Sequence, residues 1–127
     1  MRDIIISTDK SKLDISIIHN FLSTESYWAK NIPLEIVEKS IQNSLCFGVY
    51  HYSKQIGFAR LITDYATFAY LADVFILPDY RRKGLSKLLM EEIKFHPDLQ
   101  NLRRWLLGTA DAHTLYQQFG FTPLARP

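Results

Sequence analysis

The sequence carries a single cysteine, Cys46, so neither an intramolecular disulfide nor a cysteine-built metal cage is available to it. A reducing compartment suits that composition, and a cytoplasmic location is the expectation. No apolar run approaches the roughly 20 residues that cross a bilayer. The isoleucine-rich start, Met1 to Ser7, has three consecutive strong hydrophobes, far too few for a signal-peptide core. Charge of one sign is scarce as well: the formal net charge is +2, which creates no overall field toward nucleic acid or a membrane surface. Neither is an expected partner. No cluster has metal-ligand spacing, so no metal is expected, and two well-known phosphate patterns, Gly-x-Gly-x-x-Gly and Gly-x-x-x-x-Gly-Lys-Ser/Thr, are missing.

What remains is 127 residues, 47% of them hydrophobic and 13% aromatic, enough apolar surface for one domain around one core. Short runs at Arg2–Ser7, Leu45–Tyr50, Ile56–Ile62 and Phe68–Leu77 read as strands, the middle two joined as a hairpin by His51 to Gln55. Helical spacing of apolar residues marks Ile15, Ile18, Phe21 and Leu22, with an end near Ser23. The same spacing places Ile36, Val37 and Ile41 in a second helix whose first turn Pro33 can occupy. Leu85, Leu88, Leu89 and Ile93 predict a third helix, Arg104–Leu107 a short buried strand, and Ala112, Leu115, Tyr116 and Phe119 a last helix ended by Gly120. Phe121 to Leu124 is a candidate for one more strand. Helical periods on both sides of a block of strands predict an α/β fold, one mixed sheet with helices on its faces.

The basic residues gather at one place. Arg81-Arg82-Lys83-Gly84-Leu85-Ser86, with Lys87, follows a strand ended by Pro78 and opens the third helix. A helix start leaves about four N–H groups without helical partners, and with the helix dipole these attract anions. Gly84 lets a ligand approach the backbone closely, Ser86 adds a hydroxyl, and the cations complement a phosphate. A solvated helix face is the ordinary reading of such a run; its place after the strand favours a phosphate site.

At this point the sequence resembles the GNAT family of acyl-CoA-dependent N-acyltransferases. That family's central motif is Arg/Gln-x-x-Gly-x-Gly/Ala after a strand ended by proline, and Val74 to Ser86 follows it, departing at Ser86, where Gly or Ala is usual. The resemblance continues at Asp111 to Phe121, which is similar to the family's helix with Leu-Tyr-x-x-Phe-Gly-Phe. It implies a three-layer fold with a mixed, mostly antiparallel sheet splayed between its fourth and fifth strands. It also implies a single acyltransferase domain over residues 1–127 that uses acetyl-CoA. The donor's pantetheine arm is then expected on the main chain of Phe75, Ile76 and Leu77, and its pyrophosphate on Arg81, Arg82, Lys83, Gly84, Leu85, Ser86 and Lys87.

By spacing alone Tyr116 is a core tyrosine; the resemblance implies that it is the general acid for the leaving thiolate, a role suited to a phenol of pKa about 10 beside a thiol near 8.5. Asp73, a carboxylate in an apolar strand, is a candidate base or substrate contact, or else a strand residue hydrogen-bonded to a neighbouring backbone, Tyr or Trp group. Asp64, His113 and Glu25 are weaker base candidates. Tyr27, Trp28 and Tyr65 are candidate walls of an acceptor pocket for a small-molecule or peptide amine, or a cover for the core. A non-catalytic acyl-CoA-binding module is the alternative to an enzyme. Family members complete the sheet with a final hairpin strand, whereas this sequence ends at Pro127; the expectation is that the last strand is absent, that the sequence is shortened, or that a partner covers the edge, for instance in a homodimer.

Overall fold

The computed structural model of the chain describes residues 3–107 and 122–123. Strands β1 (Ile4–Ser7), β2 (Leu45–His51), β3 (Lys54–Thr63), β4 (Phe68–Ile76), β5 (Arg104–Leu107) and β6 (Thr122–Pro123) form one six-stranded sheet in the order β1-β2-β3-β4-β5-β6. The first four pair antiparallel, and β5 joins β4 in parallel, as β6 joins β5. The described ladder between β4 and β5 runs from Phe68↔Arg104 to Leu71↔Leu107, while β4 continues to Ile76 against β3. The sheet is mixed and mostly antiparallel, as the sequence leads one to expect.

Among the described residues three α-helices pack on it. Asp14 caps α1 (Ile15–Asn20), its Oδ1 accepting from the Ile17 N–H at 3.2 Å. Instead of stopping near Ser23, that helix widens into one π turn, Phe21–Glu25, closed by the Ser26 N–H donating to the Phe21 carbonyl at 3.0 Å. Pro33 lies just outside α2 (Leu34–Gln42), and its carbonyl accepts from the Ile36 and Val37 N–H groups. The third helix, α3 (Leu85–Lys94), buries Leu85, Leu89, Met90 and Ile93, four side chains worth about 1.5–3 kcal/mol each on full burial.

Two apolar cores follow from strand alternation. Phe47, Val49, Ala59, Leu61, Leu71 and Ile76 meet α3 on one face, and Cys46, Phe58 and Phe75 meet α1 and α2 on the other, giving helix, sheet and helix layers. Along β4 the alternation is broken once. Leu61 pairs with Leu71 but Arg60 with Asp73, so Ala72 is an extra residue, a bulge that shifts every later side chain to the opposite face. Leu71 consequently belongs to the α3 core while Phe75 belongs to the α1–α2 core. Without the bulge Asp73 would point at α3.

Candidate active site

The turn between β4 and α3 has the geometry of an anion cradle. Leu77–Arg81 fold back through the single turn Pro78–Tyr80, and the backbone then takes left-handed angles at Arg82 (φ 62°) and Gly84 (φ 77°). Gly84 occupies the cap position of α3, and the first helical bond runs from the Leu88 N–H to the Gly84 carbonyl at 3.1 Å. The N–H groups of Leu85, Ser86 and Lys87 therefore have no helical acceptor. Beyond its chain neighbours, no atom of the described residues lies within 4 Å of where a Cβ on Gly84 would stand, so the space beside the helix start is open there. Arg82, Lys83, Ser86 and Lys87 are exposed around it, whereas the Leu85 side chain is buried in the α3 core; among the site candidates Leu85 offers only its main chain.

Arg81 behaves differently from its neighbours. Its Nε donates to the Ile76 carbonyl at 2.9 Å, and its guanidinium lies 6.0 Å from the Phe21 ring centroid, so it fastens the end of β4 to the turn and to α1. A second fastening is the hydrogen bond between the Tyr80 hydroxyl and His51 Nδ1 at 3.0 Å, which ties the turn to the end of β2.

The main chain of β4 has two sides, and parity assigns them. The Leu77 N–H donates to the Ile56 carbonyl at 2.8 Å, and Phe75 pairs with Phe58 two residues earlier. In an antiparallel ladder, alternate residues turn both polar groups to the same neighbour, so Leu77 and Phe75 face β3, while Ile76 and Val74 face the opposite side, beyond the described end of the β4–β5 ladder. Of Phe75, Ile76 and Leu77, then, Ile76 alone turns its main-chain groups to the side away from β3, and its carbonyl there already accepts from Arg81 Nε. Val74 joins it. This phase follows from which neighbour each residue bonds, information that a list of strand residues does not contain.

Asp73 is 7% exposed, and both of its oxygens are engaged. Oδ2 accepts from Arg60 Nε at 2.7 Å and Oδ1 from Trp28 Nε1 at 2.8 Å, while Arg60 Nη1 also donates to Ser44 Oγ at 3.1 Å. The ion pair is largely withdrawn from water, the two side chains being 16% and 10% exposed. Such an arrangement holds a side chain in place: each carboxylate oxygen accepts one hydrogen bond, and one of the two donors is a cation. Arg60 and Ser44 were not singled out in the sequence. A cation at the centre of an apolar strand, directly opposite an aspartate, is the pattern that reveals the pair once the register Arg60↔Asp73 is known.

The loop after α1 is pinned from several directions. Ser26, 2% exposed, donates to the Leu22 carbonyl at 2.6 Å and accepts from the Ala29 N–H at 3.1 Å, and His19 Nε2 donates to the Ile32 carbonyl at 3.0 Å. Trp28 meets Tyr27 edge-on with centroids 5.1 Å apart and Phe21 at 6.4 Å, and Phe21 stacks on Phe75 at 4.0 Å. An aromatic series thus leads from the exposed loop to β4. Tyr65 is elsewhere: it heads the β3–β4 turn with φ 63°, before Phe68, and Phe68 is five strand residues, roughly 16 Å, from Asp73. Asp64 serves that turn, its Oδ1 accepting from the N–H groups of Ala66, Thr67 and Phe68 and its Oδ2 from the Thr67 hydroxyl. Those bonds, the Thr67 hydroxyl first, hold its carboxyl well below the usual range, unsuited to a base. Glu25 is exposed at the end of the π turn. Tyr116 and His113 lie outside the described residues.

A family model for the acetyltransferase (GNAT) domain matches residues 42–123, a span that includes β2 to β6 and both motifs. A provisionally named acetyltransferase of Gibberella zeae is 31% identical over 90% of this chain and 76% of its own length. The chain belongs to the GNAT acetyltransferase family. A crystal structure of a provisionally named GNAT acetyltransferase from Xanthomonas campestris matches with a TM-score of 0.93 and 55% identity, covering 98% of this chain and 87% of that one. A GNAT acetyltransferase from Elizabethkingia anophelis, solved with acetyl-CoA bound, shares the fold at a TM-score of 0.68 and 14% identity over 94% of this chain and 76% of its own. As a GNAT acetyltransferase the protein is an enzyme of acyl transfer, and the GNAT fold is one that binds acetyl-CoA. No helix among the described residues is long and apolar enough to cross a membrane.

Proposed function

We propose that the protein transfers an acetyl group from acetyl-CoA to the primary amine of a small-molecule or peptide acceptor, by direct attack within a ternary complex. The observation that carries this reading is the open helix start at Gly84 at the end of a strand whose Val74 and Ile76 main chain faces away from β3. Pyrophosphate oxygens accept from the N–H groups of Leu85, Ser86 and Lys87, with Arg82, Lys83 and Lys87 supplying charge. The pantetheine arm pairs with the Ile76 N–H and the Val74 main chain as an added strand would, while Arg81 holds the Ile76 carbonyl. From Leu77 back to Asp73 that strand spans roughly 13 Å, which brings the thioester toward the Trp28 loop.

Holding both substrates side by side removes much of the entropic barrier. The neutral amine forms the C–N bond at the thioester carbon, the C–S bond breaks, and the Tyr116 hydroxyl gives its proton to the departing sulfur. The proton lost by the attacking nitrogen passes to water, because Asp73 and Asp64 are both committed to other partners. Arg81, His51 and Tyr80 keep the turn in place. A screen of amine acceptors for acetyl-CoA-dependent thiol release tests the transfer, and Tyr116→Phe tests the acid. The expected result is release with at least one amine class and a fall in kcat of about 100-fold or more in the variant, with donor affinity retained. Release with no amine, or unchanged turnover in Tyr116→Phe, rejects the respective step.

A further inference from the structure

We infer that Asp73 is a positioning residue which fixes Trp28 as the wall of the acceptor site, and that this wall selects amines carrying an aromatic or broad apolar body. This rests on the transfer reading above and names the substrate class for the same site. Two observations lead to it. The first is that Asp73 is spent: Arg60 neutralises it, Ser44 orients Arg60 in turn, and Trp28 Nε1 takes the remaining oxygen. A carboxylate so engaged has its charge already paired with Arg60, and its partner across 45 residues of sequence is an indole.

The second is the state of that indole. Trp28 is held through Nε1 and by a loop bonded at Ser26 and Ile32, yet the residue is 37% exposed, and Tyr27 beside it is 55% exposed. A rigid ring, anchored at its polar edge, thus leaves apolar surface in solvent near the exposed end of the series Tyr27, Trp28, Phe21, Phe75. A pre-organised aromatic surface binds an aryl or apolar group with little ordering cost. The bulge at Ala72 makes this possible, because it turns Asp73 to the face where the loop lies.

The test uses the full chain with Trp105→Phe, which leaves Trp28 as the only one of the two tryptophans, and two amines of similar basicity, phenethylamine and n-butylamine. With CoA present, phenethylamine is expected to change Trp28 emission saturably, at a Kd at least about tenfold below that of n-butylamine. In turnover, Asp73→Asn is expected to raise the KM for phenethylamine about tenfold, with kcat within about twofold and the KM for acetyl-CoA unchanged. Asp73→Glu, which keeps the charge, recovers part of the loss. Because Asp73→Asn leaves Arg60 unpaired and can impair folding, Trp28→Phe is measured beside it; it keeps the ion pair and is expected to raise the same KM.

Equal Kd values for the two amines, no change in Trp28 emission, or an unchanged acceptor KM in Trp28→Phe would overturn the inference. So would a fall in kcat of about 100-fold in Asp73→Asn at constant KM, the mark of a base. The two readings fail separately: a saturable Trp28 response without thiol release from any amine rejects transfer and keeps the wall, and thiol release without that response does the reverse.

Discussion

Replacing Gly84 separates the two jobs that its position performs. At φ 77° a side chain costs about 1–2 kcal/mol, because its Cβ crowds the neighbouring carbonyl oxygen. Among the described residues no atom beyond the chain neighbours lies within 4 Å of that Cβ, so none of them adds a packing clash to the cost. With an unfolding entropy of about 2.1 cal/mol/K per residue, Gly84→Ala in a chain of 127 residues should lower Tm by about 4–7 °C. The methyl group also enters the space through which phosphate oxygens reach the N–H groups of Leu85 to Lys87. Losing one charge-assisted hydrogen bond there, worth about 1.5–3 kcal/mol, weakens acetyl-CoA binding by roughly 10- to 100-fold. Gly84→Asn is the control. Asparagine tolerates left-handed angles, so it should restore much of the stability while still obstructing the ligand. Thermal unfolding and calorimetric titration with acetyl-CoA read the two effects independently. A Gly84→Ala protein that loses stability but binds acetyl-CoA as wild type does would refute the placement of the phosphates; equal instability in the Ala and Asn variants would refute the backbone argument.

Other consequences concern the core. The Tyr50 ring lies across Gly48, where an added Cβ would fall against the hydroxyl and 2.6 Å from Cζ, so Gly48→Ala should cost about 1–3 kcal/mol in urea unfolding. The Tyr50 hydroxyl is buried with no hydrogen-bond partner among the described residues, and burial, with the Asp9 carboxylate second, raises its pKa; Tyr50→Phe should therefore match or exceed wild-type stability, by up to about 1 kcal/mol, and a clear loss would show a missed partner. Burial pushes the Cys46 thiol up to about 11, so alkylation by iodoacetamide at pH 8 should be slower in the native protein than in urea by at least about 100-fold. Since the folded value exceeds the unfolded one, that thiol supports the fold fully below pH about 9 and progressively less up to about 11.

The parts of the fold that depend on local pattern were legible in the sequence. Alternation and helical spacing identify β2, β3, β4, α2 and α3, and the basic turn before Leu85 announces a helix start because glycine and cations at that point have a direct physical reading. What pattern does not carry is phase. The bulge at Ala72 and the π turn at Phe21–Glu25 each insert one residue, and the bulge turns Asp73 to the face where Trp28 lies. Both depend on packing between distant elements. For the same reason Asp73 reads in sequence as a lone carboxylate, while in three dimensions it is the middle of a chain from Ser44 through Arg60 to Trp28. Tyr65, grouped with Trp28 as an aromatic loop residue, belongs to a different end of the sheet.

The most direct test of the account compares acetyl-CoA with S-acetylpantetheine, which keeps the thioester and the arm but lacks the pyrophosphate. If the Gly84 helix start and its cations hold the phosphates, acetyl-CoA binds at least about 100-fold more tightly in calorimetric titration, the sum of two or more charge-assisted hydrogen bonds, and the difference shrinks as salt rises. Equal affinities, insensitive to salt, would contradict it.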